Sequence, residues 1–144
     1  MHARLTVLCL LFTAVCLAPY AQAEDSLYKR LGGYDAIAAV VDDFLGRLSK
    51  DEKIGRYFVG QSEDSLKKLR QHVVDQLTEA TGGPAKYTGR SMKTVHTGLK
   101  ITEDDWTRMM KHLGDTAAKF KLPEKEAKEV VNYIESLKKD IVGL

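Results

Sequence analysis

Apolar residues recur every three or four positions along most of the chain after residue 23, and the strict alternation typical of half-buried strands is weak. This spacing predicts four substantial helices, each with one apolar face. The apolar positions are Ile37, Val40, Val41, Phe44, Leu45 and Leu48 in the first helix; Leu66, Leu69, Val73, Leu77 and Ala80 in the second; Trp106, Met109, Met110, Leu113, Ala117 and Phe120 in the third; and Ala127, Val130, Val131, Ile134, Leu137 and Ile141 in the fourth. The pattern therefore predicts an all-α domain with short connections.

Glycine, proline and hydroxyl side chains mark the ends of these helices. The helix expected over Glu63–Thr81 stops at Gly82-Gly83-Pro84, because glycine accepts the left-handed cap conformation and proline cannot continue a helix. The segment Thr102–Asp105 resembles a capping box. Before it, Ser91 can cap a short apolar segment that ends at His96. We therefore expect a short helix between the second and third long ones.

The first 23 residues have the composition of a secretory signal peptide. Arg4 supplies positive charge, Leu5–Ala18 are apolar, and Ala21-Gln22-Ala23 fits a cleavage site. The apolar run is short for a membrane-spanning helix, although an uncleaved anchor is the alternative. Both cysteines lie within it. We expect an exported protein, periplasmic or secreted, whose mature form is one disulfide-free domain of residues 24–144 with no membrane association after cleavage.

Charge and motifs exclude several classes of function. The formal net charge is only +2, and acidic and basic residues are interspersed without a basic block, so nucleic acid and anionic membranes are not expected as partners. The sequence has no Gly-x-Ser-x-Gly elbow, P-loop or dinucleotide-binding fingerprint. Since no cysteine follows residue 23, a cysteine nucleophile is excluded from the mature chain as well.

Three histidines follow residue 23. His72 borders the apolar face of the second helix, and His96 lies in the short segment between two glycine breaks. His112 falls beside the stripe of its helix, where a hydrogen-bonded or surface histidine is usual, and we assign it no chemistry. Either of the other two could be an ordinary side chain of that kind. Structural zinc needs more nitrogen or sulfur ligands and calcium a carboxylate-rich loop, so haem, held non-covalently, is the metal cofactor that these residues favour.

Several segments, in the same order, resemble the truncated globins of group I. The segments are Leu27–Gly33 (LYKRLGG), Val41–Phe44 (VDDF), Tyr57–Phe58, Gly82–Met92 (GGPAKYTGRSM) and Val95–Thr102 (VHTGLKIT). The similarity runs from about Leu27 to Val142. It implies a two-over-two helical sandwich around haem b, and reversible binding of dioxygen, nitric oxide or carbon monoxide.

The resemblance also implies roles for single residues. His96 matches the proximal iron ligand, and Phe58 the residue that wedges the haem. His72 falls where some members carry a distal histidine ligand, so the iron would be bis-histidyl at rest; the alternative is that His72 swings outward to a propionate. The other cofactor-binding positions are Phe44, Leu45, Leu69, Val73 and Met109, with Tyr87, Met92 and Val95 on the proximal side or the propionate edge.

The sequence departs from the common group I pattern on the distal side. Leu45 replaces a tyrosine and Val73 a glutamine, both of which hydrogen-bond bound dioxygen. Loss of one charge-assisted hydrogen bond costs about 1.5–3 kcal/mol, or roughly ten- to a hundredfold in affinity. Some bis-histidyl relatives also link the haem covalently to a histidine of the last helix, but none lies between Glu124 and Leu144.

Two functions of different class follow from these features. One is a gas-binding haem protein for oxygen transport or nitric oxide detoxification, for which a nitric oxide dioxygenase or peroxidase-like side activity stays open. The other is an exported electron-transfer or redox-sensing haem protein with a redox partner, because two imidazole ligands keep reorganisation of the iron small. A haem-free helical regulatory module is the third reading, and a preparation without Soret absorbance would support it.

Overall fold

The structure, a computed structural model, describes residues 24–144. The expected signal peptide lies outside these residues. The described part of the chain is all-helical and contains no strand, as predicted. Its α-helices are α1 (Leu27–Arg30), α2 (Gly33–Lys50), α3 (Glu63–Ala80), α4 (Met92–His96), α5 (Glu103–Lys119) and α6 (Glu124–Leu137), and short 3₁₀ helices occur at Ile54–Tyr57 and Lys138–Asp140. No helix in residues 24–144 is long and apolar enough to cross a membrane.

Helix α2 packs against both α3 and α5, and its apolar face forms the centre of the core. Val41 of α2 and Val74 of α3 are completely buried there, together with Ile37 and Ala38. Leu45, predicted from the same stripe, is half-buried against this cluster. Burial of apolar side chains of this size stabilises the fold by about 1.5–3 kcal/mol each, so the α2–α3 contact is a major source of stability in a domain without a disulfide.

The face that α3 buries differs from the predicted one. Val74 and Thr78 are fully buried, whereas Leu66 and Leu69 are 37% and 39% exposed and Ala80 is exposed as well. The stripe prediction was wrong at these three positions. Leu66 and Leu69 lie on a side of the N-terminal half of α3 that no other described element covers, and Ala80 is the last residue of the helix. Phe120 of the α5 stripe is likewise exposed, since it follows the last turn of its helix.

Local sequence signals set the helix ends as predicted. Gly82 takes the left-handed conformation with φ +86° after α3. The capping box at the start of α5 is complete, because Asp105 Oδ2 accepts hydrogen bonds from the Thr102 amide at 2.9 Å and hydroxyl at 2.8 Å. The same oxygen also accepts from Arg56 at 2.8 Å and Tyr57 at 3.0 Å. Although burial alone would raise the pKa of Asp105, these bonds hold it below its usual value.

Asp105→Ala should lower the free energy of unfolding by about 2–3 kcal/mol, because it removes a helix cap and leaves part-buried donors unpaired. Urea denaturation measures the loss. Asp104→Ala is the control: that side chain is 60% exposed and pairs with Lys53, and exposed ion pairs contribute about 1 kcal/mol or less. Equal losses from the two variants would contradict this role for Asp105.

Candidate functional site

His96 is the last residue of α4, a helix that Ser91 begins by accepting the Thr94 amide at 3.2 Å. The His96 ring is half-buried, and its Nδ1 lies 2.8 Å from the Met92 carbonyl oxygen. Since a carbonyl can only accept, Nδ1 carries the proton of this hydrogen bond, and in the neutral imidazole Nε2 then has the lone pair. This arrangement is typical of histidines that bind a metal, because the hydrogen bond fixes both the tautomer and the direction of the ring.

His72 lies in the middle of α3 and is half-buried. Its Nδ1 is buried and has no hydrogen-bond partner in the described part of the chain. The ring meets Tyr87 edge-to-face, with centroids 5.7 Å apart and planes at 73°. Tyr87 in turn donates its hydroxyl proton to the Arg90 carbonyl oxygen at 2.6 Å. Burial raises the pKa of the Tyr87 phenol, which keeps this donor protonated.

His112 is an ordinary hydrogen-bonded histidine, as predicted. Its Nε2 lies 2.9 Å from Asp51 Oδ2, and Arg108 approaches the same oxygen at 3.3 Å. The other oxygen of Asp51 accepts the amides of Lys53 and Ile54 at 2.9 Å. The Ile54 amide first, then His112, holds the pKa of Asp51 well below its usual range. His112 therefore fastens the corner that leads to Phe58, although its own Nδ1 is buried without a partner, as in His72.

The other predicted site residues fall into three groups. Phe44 and Val73 line a cavity of about 110 Å³ between α2, α3, α5 and α6, whose surface is almost entirely apolar. His72 and His96 do not line this cavity. Leu69 is exposed on the uncovered side of α3. The remaining predicted positions, all half-buried, are Leu45, Phe58, Tyr87, Met92, Val95 and Met109.

The donor set limits what metal chemistry is available. Residues 24–144 contain no cluster of three or more histidine, cysteine or carboxylate side chains that could hold a metal ion. A site that relies on single imidazoles therefore needs a cofactor that brings most of its own metal ligands, and a porphyrin does so. His96 Nε2, which makes no hydrogen bond within the described residues, is suited to bind the iron of such a cofactor.

Sequence reasoning missed two contributors to this region. Asp51 supports the turn before Phe58 and is hydrogen-bonded to His112. Because His112 lies far away in the sequence, no local pattern predicts this hydrogen bond. Gly89 is the second: a Cβ built there would collide with the Tyr87 ring. The glycine was visible in the sequence, but its role depends on how the tyrosine folds back over it.

The model of the bacterial-like globin family matches residues 26–142. The chain belongs to this family. Group 1 truncated hemoglobin GlbN of Mycolicibacterium paratuberculosis is 33% identical over 126 residues, which cover 87% of this chain and 90% of that protein. The predicted resemblance to group I truncated globins is therefore confirmed. Family membership implies a haem cofactor and is consistent with binding of gases to the haem.

Solved structures confirm the fold. The Fe(III) truncated hemoglobin of Tetrahymena pyriformis superimposes with a TM-score of 0.76 at 25% identity, covering 83% of this chain and all (100%) of that one. The 2/2 hemoglobin of a Synechococcus species, solved in the cyanomet state with covalently attached haem, gives 0.74 at 28% identity and the same coverage, 83% and 100%. The helices of this bacterial-like globin thus form the two-over-two sandwich of truncated hemoglobins.

Proposed function

We propose that this protein binds haem b non-covalently through His96 and takes up dioxygen, nitric oxide or carbon monoxide. The observation that carries the proposal is the hydrogen bond from His96 Nδ1 to the Met92 carbonyl at 2.8 Å, which leaves Nε2 free to donate its lone pair. When bound, the haem supplies an iron that ligates a diatomic gas or exchanges an electron. The chain supplies the axial nitrogen and apolar side chains around the haem, and it controls the access of gases to the iron.

Uncovered apolar side chains support a large flat cofactor near these histidines. Leu66 and Leu69 stand on the same helix as His72, Val59 follows Phe58, and Leu99 follows His96 by three residues. All four are exposed, and exposed apolar surface often marks a ligand site. A porphyrin that packs on them would remove this surface from water and hold the cofactor without a covalent bond.

The apolar cavity supports a small gas as the further ligand. Its volume of about 110 Å³ is below the roughly 300–1,000 Å³ of pockets for drug-sized ligands. Val73, one of the predicted distal residues, and Phe44, another predicted cofactor-binding residue, form part of its wall. A diatomic molecule fits such a space and needs no hydrogen bond from it. Charged or strongly polar substrates would lose their hydration there without replacement.

We further propose that His72 is the second axial ligand in the resting state. Its half-buried ring carries a nitrogen without a hydrogen-bond partner in the described residues, and Tyr87 contacts the ring edge-to-face. A gas must then displace the His72 imidazole from the iron. The apparent affinity for the gas is therefore reduced in proportion to the fraction of molecules in which His72 is dissociated. On sequence grounds, we also propose that residues 1–23 direct export and that no histidine of α6 links covalently to the haem.

His96→Ala should weaken haem binding by more than about tenfold. Loss of a residue that hydrogen-bonds a metal ligand lowers metal affinity by roughly 10–100-fold, and loss of the ligand itself should have a larger effect. Hemin titration followed by Soret absorbance measures the affinity. His112→Ala removes a histidine that bonds Asp51 rather than a proposed ligand, and it should lower the affinity far less than His96→Ala does. A colourless wild-type protein that takes up no added hemin would refute the proposed function.

His72→Leu should convert six-coordinate, low-spin iron to five-coordinate, high-spin iron, because leucine offers no lone pair. Optical spectra of the ferric and ferrous forms report this change through loss of the sharp α and β bands. His112→Leu, the same substitution at another α-helical histidine, should leave the bands unaltered. If His72→Leu has the spectrum of the wild type, His72 is not a ligand.

The apolar side chains Leu45 and Val73 favour a second candidate, electron transfer, because neither can hydrogen-bond a gas on the iron. Resistance to oxidation separates the two functions. A gas-binding protein, reduced and then exposed to air, should resist oxidation for minutes or longer, as followed by absorbance. Immediate oxidation would favour the electron-transfer candidate and its redox partner.

A further inference from the structure

We propose that Tyr87 is a positioning residue that holds the His72 imidazole in one orientation at the edge of the cofactor site. The inference rests on the proposed function, in which His72 is an axial ligand. A ligand on a flexible side chain loses rotamer freedom when it binds, and a neighbour that restricts the ring beforehand reduces that loss. Tyr87 would thereby set how much of the protein has His72 on the iron.

The contact between the two rings is specific. Their centroids are 5.7 Å apart with planes at 73°, the edge-to-face arrangement that aromatic pairs prefer. The buried Nδ1 of His72 has no hydrogen-bond partner in residues 24–144, so no polar contact at that nitrogen competes with Tyr87 for the orientation of the ring.

Tyr87 is itself fixed at both its backbone and its side chain. Its amide donates to Glu79 Oε2 at 2.9 Å, and Lys86 pairs with the other oxygen of Glu79 at 3.1 Å. Glu79 lies seven residues after His72, so both stand on one side of α3, two turns apart. The loop that carries Tyr87 is thus fastened to the helix that carries His72. At its far end, the tyrosine hydroxyl donates to the Arg90 carbonyl at 2.6 Å.

Gly89 makes room for this arrangement. The Tyr87 ring folds back over the loop and lies where a Cβ on residue 89 would be, in collision with its hydroxyl and ring carbons. Gly89 does not have the positive φ that would itself exclude alanine. Alanine at this position should therefore displace the Tyr87 ring while leaving the residue chemically intact.

The same short segment also carries the other proposed ligand. The carbonyl oxygen of Arg90 accepts the hydrogen bond from the Tyr87 hydroxyl. The next residue, Ser91, caps α4, which ends at His96. Tyr87, which contacts His72, therefore belongs to the same segment that positions His96. A change in the loop should affect His72 as well as His96.

Tyr87→Leu and Gly89→Ala should each shift the ratio of low-spin to high-spin iron by about two- to tenfold toward high spin, the range expected for one aromatic pair. Tyr87→Phe keeps the ring and should stay within about twofold of the wild type. Gly114→Ala adds the same methyl group where nothing lies within 4 Å and should change nothing. Ferric optical spectra of the haem-loaded proteins give the ratio.

A second measurement is independent of iron. In the protein loaded with zinc protoporphyrin, which is diamagnetic because Zn²⁺ is d¹⁰, the His72 and Tyr87 ring protons should show a nuclear Overhauser effect that Gly89→Ala abolishes. A wild-type protein with high-spin iron would refute the ligand role of His72, and the nuclear Overhauser effect alone would then decide whether Tyr87 holds the ring. Unchanged spin ratios in Tyr87→Leu and Gly89→Ala, or no such effect in the wild type, would overturn the proposal.

Discussion

The rotation of α3 against α2 is the constraint on which the rest of the molecule depends. Val74 and Thr78 of α3 are completely buried, and Val74 packs with Val41 of α2 in the core cluster. Residues at intervals of four share a helix face, so burial of these two fixes which way every other side chain of α3 points. Leu66 and Leu69 are consequently turned to a side that the protein leaves uncovered, whereas the His72 ring is half-buried against Tyr87. In the proposed function, the core thus determines the place of the cofactor site without containing it.

A polar network performs a similar task at the other side of the fold. Asp105 joins the start of α5 to Arg56 and Tyr57, and Asp51 joins the same corner to His112 further along the helix. Phe58 follows directly after this corner. The two carboxylates therefore fix a residue that the family resemblance places against the haem. Each carboxylate accepts several hydrogen bonds, so that a single side chain stabilises an irregular turn.

Most of the fold could be predicted because its signals are local. Helical spacing predicted the long helices, and Ser91 and Thr102 predicted where α4 and α5 begin. The face of α3 could not be predicted, because Leu69 and Val74 give it apolar residues on two sides and only the packed partner decides between them. Thr78, fully buried although polar, carried no signal of burial.

Prediction of the site divides in the same way. His96 stood out because it lies between glycine breaks in a short apolar segment. The edge-to-face contact of Tyr87 with His72 was not foreseen, since it requires a loop to fold back on the preceding helix. The partnership of Asp51 and His112 depends on tertiary structure alone. Family similarity supplied roles for positions such as Phe58 and Met109, which spacing by itself does not distinguish from core residues.

The shortness of α4 has a consequence for the lifetime of the holoprotein. Five residues make barely more than one helical turn, and a helix of that length does not persist on its own in water. In the proposed site, its last residue would grip the iron while its first residue orients that grip through a carbonyl oxygen. Folding of this turn and retention of the prosthetic group would then be a single linked equilibrium. Spontaneous fraying of the turn, rather than any large opening of the globule, would be the natural exit route for haem.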